Sequence, residues 1–250
     1  MALQEEFEKR GNWLFRYRGT LPLIVLIAGL FLYLRGKIYP ETYFPDGTHF
    51  ENYYEYFCLL ISLSGLIIRI YTIGYTPEHT SGRNVKEQVA GKLNTTGIYS
   101  LVRHPLYVGN FFMWLGPALL TGHIWFIILF CLAYWLYYER IMFAEEQFLR
   151  NKFGTPYLEW AEGIPAFLPH FRGFKKPNLS FSWKKVLKRE KNGFAAIFLV
   201  FSLFDIAGEL IIKETNFNYF FAAGFIFSAI AYLLIKILKK RTKLLDKQGR

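Results

Sequence analysis

The chain of 250 residues is 53% apolar and 20% aromatic with only 20% charged side chains, too hydrophobic for an ordinary soluble domain and indicative of a membrane protein. Lys and Arg outnumber Asp and Glu by 30 to 19, so the net charge of +11 is packed into few segments that face something anionic. These figures exclude a disordered acidic chain and a collagen-like fibre. A disulfide scaffold is excluded because Cys58 and Cys131 both lie in apolar runs, and the five scattered histidines give no metal-ligand spacing, so no metal is expected.

A transmembrane helix needs about 20 mostly apolar residues to cross about 30 Å of hydrocarbon. The first such run, residues 20–34, is flanked by Arg16 and Arg18 before and Arg35 and Lys37 after. It is expected to be retained rather than cleaved, because Glu5, Glu6 and Glu8 precede it and no small-x-small pattern follows. The second, Tyr54 to about Tyr75, carries Arg69 close to its end, whose guanidinium is expected to snorkel to the headgroups. The third, Leu106 to Tyr138, is uncharged and would be about 50 Å long as one helix, so it must fold back, with Thr121, Gly122 and His123 as the turn. Phe194–Ile212 and Phe217–Leu238 complete six expected spans. Asp205 and Glu209 share one face of the fifth and are expected to tie the last hairpin to the first four spans, a polar head-group pocket being the alternative. The fold class is therefore all-α and polytopic, with a four-span core over 1–192, a motif region over 90–170, and a C-terminal hairpin with basic tail over 193–250.

Basic residues fix the expected orientation. Lys9 to Arg18, Arg83 to Arg103, Arg140 to Lys191 and Lys236 to Arg250 fall on one side, against Arg35, Lys37 and Lys213 on the other. Both termini and the polar segments 76–105 and 139–192 are expected in the cytoplasm, with a bacterial inner membrane as the working location. Chemistry is sought in those two segments.

The first ends in Gly97-Ile98-Tyr99-Ser100-Leu101-Val102-Arg103-His104-Pro105-Leu106-Tyr107-Val108-Gly109, which runs directly into the apolar hairpin. Pro105 suits the first turn of a helix, where its missing N–H would be unpaired anyway. Arg103 and His104 then stand at a helix mouth suited to a carboxylate or phosphate ligand, or equally to lipid phosphate. The second segment contains Glu145-Glu146 on the continuation of the fourth span, pointing roughly 100° apart. Taken alone, Glu146 would pair with Arg150 one turn on. The hairpin, however, returns both motifs to one surface, where a shared pocket is natural.

Together these motifs, Gly-x-Tyr-x-x-x-Arg-His-Pro-x-Tyr-x-Gly and, after the hairpin, Glu-Glu-x-x-Leu-x-x-x-Phe-Gly-x-x-Tyr, resemble the isoprenylcysteine carboxyl methyltransferase and phospholipid methyltransferase superfamily over about residues 90–170. The resemblance implies S-adenosylmethionine bound at the cytoplasmic surface. It implies that His104, Pro105, Tyr107 and Gly109 frame this cofactor and that Glu145 and Glu146 lie near its amino or ribose groups. Arg103, His104 and Glu145 are the candidate catalytic residues. Phe111, Phe112 and Trp114 are open candidates for stacking on adenine.

Methyl transfer from a sulfonium to a carboxylate or phosphate needs alignment and dryness but no general base, whereas an amine must first lose a proton. Gly163 stands where the isoprenylcysteine enzymes usually carry Arg, and Trp160 replaces the second Tyr of their motif, which puts a prenylcysteine carboxylate in doubt. Arg83, Lys86, Arg140 and Arg150 are the candidate contacts to an anionic head group. The loop over residues 80–90, which carries Arg83 and Lys86, and the Leu-Asn-Thr-Thr-Gly-Ile-Tyr-Ser run after it resemble bacterial branches that methylate lipid phosphates such as the 1-phosphate of lipid A. A membrane lipid is thus the expected substrate and the bilayer the partner, with a prenylcysteine carboxyl or a phosphatidylethanolamine amine as alternatives. A sterol-reductase-like oxidoreductase is the rival enzyme class, since related turns occur there. A transporter would need the internal repeat and broken apolar helices that are absent here, and nucleic-acid binding would need a folded basic module.

Overall fold

A computed structural model describes residues 2–42, 50–77, 90–242 and 244–245. Arg83 and Lys86 lie outside the described residues. Those described form eight α-helices in chain order, α1 (Leu3–Arg16), α2 (Leu21–Ile38), α3 (Glu51–Tyr75), α4 (Pro105–Leu120), α5 (Ile124–Phe153), α6 (Thr155–Glu162), α7 (Trp183–Ile212) and α8 (Tyr219–Arg241), with no strand among them. The all-α, polytopic expectation holds.

Four of these, α3, α5, α7 and α8, are long and apolar enough to cross a membrane. The expected count of six is not confirmed; the other two apolar helices, α2 and α4, have 18 and 16 residues. The hairpin forms where expected. α4 stops at Leu120, α5 starts at Ile124, and Gly122 between them takes a left-handed φ of 66° that its missing Cβ permits. With 30 residues, α5 runs about 45 Å, well beyond a 30 Å hydrocarbon layer, and its last turns carry Glu145 and Glu146 clear of the apolar stretch.

Within a bilayer, helices associate through close packing and polar contacts rather than through exclusion of water. The α3–α4 seam shows this. A Cβ on Gly65 would lie 2.4 Å from the Gly109 carbonyl oxygen, and one on Gly116 would lie 2.0 Å from Ser62 Oγ, so the two backbones approach as only small residues allow. Across the seam Ser62 Oγ donates to the Met113 carbonyl at 3.0 Å and the Tyr54 hydroxyl to that of Leu119 at 2.6 Å. α4 also holds an internal proline, Pro117.

Two buried clusters result. One joins α2, α3, α4, α7 and α8 around Tyr33, Cys58, Leu120, Phe201, Phe204 and Phe221; the other joins α1, α4 and α5 around Phe15, Tyr107, Phe130, Tyr134, Tyr138 and Ile141. The sequence reading left α1 out. Its Phe7, Gly11, Leu14 and Phe15 recur at helical spacing and lie along α5, with Phe7 edge-on to Phe143 at 5.9 Å and the Tyr137 hydroxyl donating to the Leu14 carbonyl.

Asp205 and Glu209 are buried and hold the α7–α8 turn. Asp205 accepts from the Asn218 N–H at 3.0 Å and Glu209 from that of Asn216 at 2.9 Å. The Asn218 side chain reaches Glu55 of α3 at 3.1 Å, so the tie to the earlier spans runs through Asn218, whereas the two acids bond within the hairpin's own turn. Among the described residues no group of three or more His, Cys, Asp or Glu could hold a metal ion.

Candidate active site

The Arg103-His104-Pro105 turn is built by backbone before any side chain acts. Ile98–Ser100 forms one short 3-10 turn, and the segment after α6 straps it from outside. The Arg103 N–H donates to the Pro165 carbonyl at 2.9 Å, that of His104 to Ala166 at 3.1 Å, and that of His170 to Leu101 at 2.9 Å. Pro105 is the first residue of α4 and His104 its N-cap, as the sequence implied.

From this turn His104 enters the protein almost fully buried and meets both glutamates of α5. Nε2 lies 2.9 Å from Glu146 Oε1, and Nδ1 lies 3.6 Å from Glu145 Oε2. The two carboxylates, though 100° apart on their helix, thus flank opposite nitrogens of one ring. Burial pulls the His104 pKa down, but hydrogen bonding and charge from Glu145 and Glu146 outweigh it, and the net shift is upward, favouring the imidazolium.

Further contacts complete the cluster. Arg103 Nη1 donates to the Ala161 carbonyl at 2.8 Å, and its Nε lies 3.0 Å from Glu146 Oε1 as an ion pair. The bond between Glu146 and Arg150 imagined from sequence alone gives way to these partners. The Tyr107 hydroxyl donates to Glu145 Oε1 at 2.7 Å, its ring stacks on His104, and Tyr134 donates to the Tyr107 carbonyl at 2.7 Å. Tyr157 is near Glu146, and burial together with that carboxylate pushes its phenol pKa up.

A cleft of about 460 Å³ opens on this cluster, lined by Arg103, Glu146, Gln147, Arg150, Tyr157 and Glu162 among others. A second, apolar groove of about 230 Å³ lies between α2, α4 and α5 and is lined by Pro22, Val25, Trp114, Phe130, Tyr134 and Tyr138 among others. Tyr134 and Tyr138 connect the groove to Tyr107.

Of the residues singled out from sequence, Arg103, His104, Pro105, Tyr107, Glu145 and Glu146 come together, and Arg150 joins them at the cleft. Gly109 instead faces α3, where a Cβ would lie 2.5 Å from Arg69 Cγ. Arg140 stands 3.3 Å above the Phe7 ring of α1. Phe111 packs edge-on to Tyr134 and Phe167, while Trp114 lines the apolar groove. Sequence reasoning missed Tyr134 and Tyr138. Their recurrence with Met142 and Glu145 at helical spacing was the available signal. The snorkelling expected of Arg69 is also overturned. Its guanidinium turns inward to Glu190 of α7 and Asn110 of α4.

Residues 55–156 match the family described as phospholipid methyltransferase. The chain is 36% identical over 96 residues to a protein-S-isoprenylcysteine O-methyltransferase of Schizosaccharomyces pombe, covering 36% of this chain and 40% of that protein. It is 26% identical over 145 residues to the protein of the same name from Tribolium castaneum, covering 56% and 50%. It is 34% identical over 113 residues to the cobalt-zinc-cadmium resistance protein CzcN of Cupriavidus metallidurans, covering 44% and 50%. The chain therefore spans about half the length of these relatives, or less. No solved structure matches. The matched stretch contains the Arg-His-Pro turn, the hairpin and both glutamates, and over it the chain is similar to the phospholipid methyltransferase family.

Proposed function

We propose that the chain is an integral-membrane methyltransferase that uses S-adenosylmethionine to methylate an anionic oxygen on a lipid-borne group. The carrying observation is that Arg103, His104, Glu145 and Glu146, all inside the matched region, form one cluster whose Arg103 and Glu146 line a cleft. Its volume of about 460 Å³ falls among small-molecule sites, roughly 300–1,000 Å³. Its donors fit a ligand bearing a carboxylate, an amine and ribose hydroxyls, with Arg103 and Arg150 for the first and Glu146 and Glu162 for the others. When bound, the cofactor supplies an electrophilic methyl group on a sulfonium.

The chain's own residues then have three tasks. Arg103, fixed by the Ala161 carbonyl and Glu146, presents its remaining N–H groups to the cleft. The Glu145–His104–Glu146 clamp joins α4 to α5 and holds Glu146 at the cleft. The apolar groove beside Tyr134 and Tyr138 gives the hydrophobic part of the acceptor a place next to the reacting head group, shielded from water.

The charge state of His104 bears on the acceptor. An imidazole whose cation is favoured is a poor base, which speaks against an amine and for a carboxylate or phosphate that is already ionised. The relatives from S. pombe and T. castaneum are named for a prenylcysteine O-methyl product, which favours the carboxylate over the lipid A 1-phosphate-like acceptor. Basic residues gather on the side of the cleft, so the reacting face is assigned to the cytoplasm.

The test incubates purified protein with radiolabelled S-adenosylmethionine and either a prenylcysteine or a total lipid extract, with Glu146→Gln in parallel. Base-labile label in the prenylcysteine, lost in the variant, supports the carboxylate; label in a phospholipid phosphate moves the acceptor there. Absence of transfer to either, together with no cofactor binding in calorimetry, defeats the reading.

A further inference from the structure

Arg69, Asn110 and Glu190 form a polar group at the junction of α3, α4 and α7 that the steps above do not use. Arg69 Nε and Nη2 donate to the two oxygens of Glu190 at 2.8 and 2.7 Å, and Nη1 donates to Asn110 Oδ1 at 2.6 Å. Glu190 is only 4% exposed. Removing such a pair from water is repaid only by good geometry, and a two-pronged fork plus a third hydrogen bond is the arrangement that repays it.

The helices are shaped around this group. Gly109 leaves the space that the Arg69 stem fills, since a Cβ there would meet Arg69 Cγ at 2.5 Å, and a Cβ on Gly193 would touch Glu190 Oε2 at 3.4 Å. The group is also continuous with the candidate active site. Asn110 hydrogen-bonds the Tyr138 side chain, Tyr138 stacks on Tyr134 at 4.2 Å, Tyr134 donates to the Tyr107 carbonyl, and Tyr107 donates to Glu145 beside His104. Asn110 and Tyr107 lie three residues apart on α4 and so share a face.

We propose that Arg69 is a positioning residue, gripped by Glu190, which sets the first turns of α4 and through Tyr107 and Tyr138 the geometry of the Glu145–His104 pair. The helix α7 lies outside residues 55–156, yet by this link it governs the site they form. A lysine at 69 would keep the charge but lose the fork, so charge alone does not serve. This inference rests on the methyltransferase reading.

The test uses the full chain in lipid nanodiscs and measures kcat, acceptor KM and unfolding temperature for the wild type, Arg69→Lys, Glu190→Gln and Ser202→Ala. The last removes a different α7 hydrogen bond, from Ser202 Oγ to the Phe221 carbonyl. Arg69→Lys and Glu190→Gln are expected to lower kcat by about tenfold or more, with KM changed by less than about twofold. The double variant should be no worse than either single one. Ser202→Ala should lose unfolding temperature while keeping kcat per folded molecule. Wild-type kcat in Arg69→Lys, or an equal kcat loss in Ser202→Ala, overturns the proposal; if Glu190→Gln does not fold, Arg69→Lys decides. If the wild type transfers no methyl group, the methyltransferase reading fails and the positioning claim is decided by the NMR titration of the His104 imidazole. That titration should shift in Arg69→Lys, and no shift overturns the claim.

Discussion

The two ends of the helix bundle both bury charge, and they use it differently. At the end formed by the α7–α8 turn, Asp205 and Glu209 are committed to backbone N–H groups, Glu55 to the Asn218 amide, and Glu51 to Lys37. These carboxylates hold backbone and neighbouring helices together. At the other end, Glu145 and Glu146 grip a histidine and Glu146 an arginine, and of these Arg103 and Glu146 line a cleft. A buried acid inside a membrane protein is therefore not by itself a sign of chemistry; what marks the second group is a histidine held between two carboxylates, with Arg103 and Glu146 facing a cleft.

Substitutions can break this contrast. The largest effect is expected from His104→Ala, which removes the shared partner of both glutamates and should cut turnover about 100-fold, the scale of a misaligned site, read from labelled-methyl transfer. Next comes the seam that holds the two ends together. Gly116→Val would drive side-chain atoms into Ser62 and the Cys58 carbonyl and should cost about 3 kcal/mol in thermal unfolding. Asp205→Ala leaves the Asn218 N–H without its carboxylate and should cost about 2 kcal/mol, with turnover per folded molecule unchanged. A loss of turnover there would erase the distinction between the ends.

The smallest effect sharpens the contrast through pH. His104 has a raised pKa in the folded chain, so its clamp contributes fully below the unfolded imidazole value of about 6.5 and fades as pH rises through the folded value. The stability advantage of the wild type over His104→Gln should therefore shrink on going from about pH 6 to pH 9. An advantage that grew with pH would mean that the imidazole is held neutral.

Much of this was legible in the chain itself. The hairpin followed from an uncharged run too long for one crossing, with Thr121, Gly122 and His123 near its middle as the turn. The Arg103-His104-Pro105 turn and the Glu145-Glu146 pair could be brought together because the hairpin returns them to one surface. What stayed hidden depends on contacts between distant segments. Arg69 looked like a snorkelling side chain because its partner Glu190 lies far along the sequence, and nothing local announces that pairing. The backbone strap from Pro165 and Ala166 to the Arg103-His104-Pro105 turn carries no side-chain signature at all. α1 was missed because its apolar face is narrow and its composition polar, so a search for spans passes over it.

Pro117, inside α4, has a consequence for how that helix can move. Proline lacks the N–H that would bond the carbonyl four residues back, which is Met113, and Ser62 of α3 donates to that oxygen instead. The hydrogen bond that α4 gives up internally is thus lent to it by its neighbour. Sliding α4 along α3 would strand a carbonyl where no water waits to solvate it, so small displacements are penalised at once. The two helices are expected to travel as one body, and any opening of the cleft falls to the α5–α6 side.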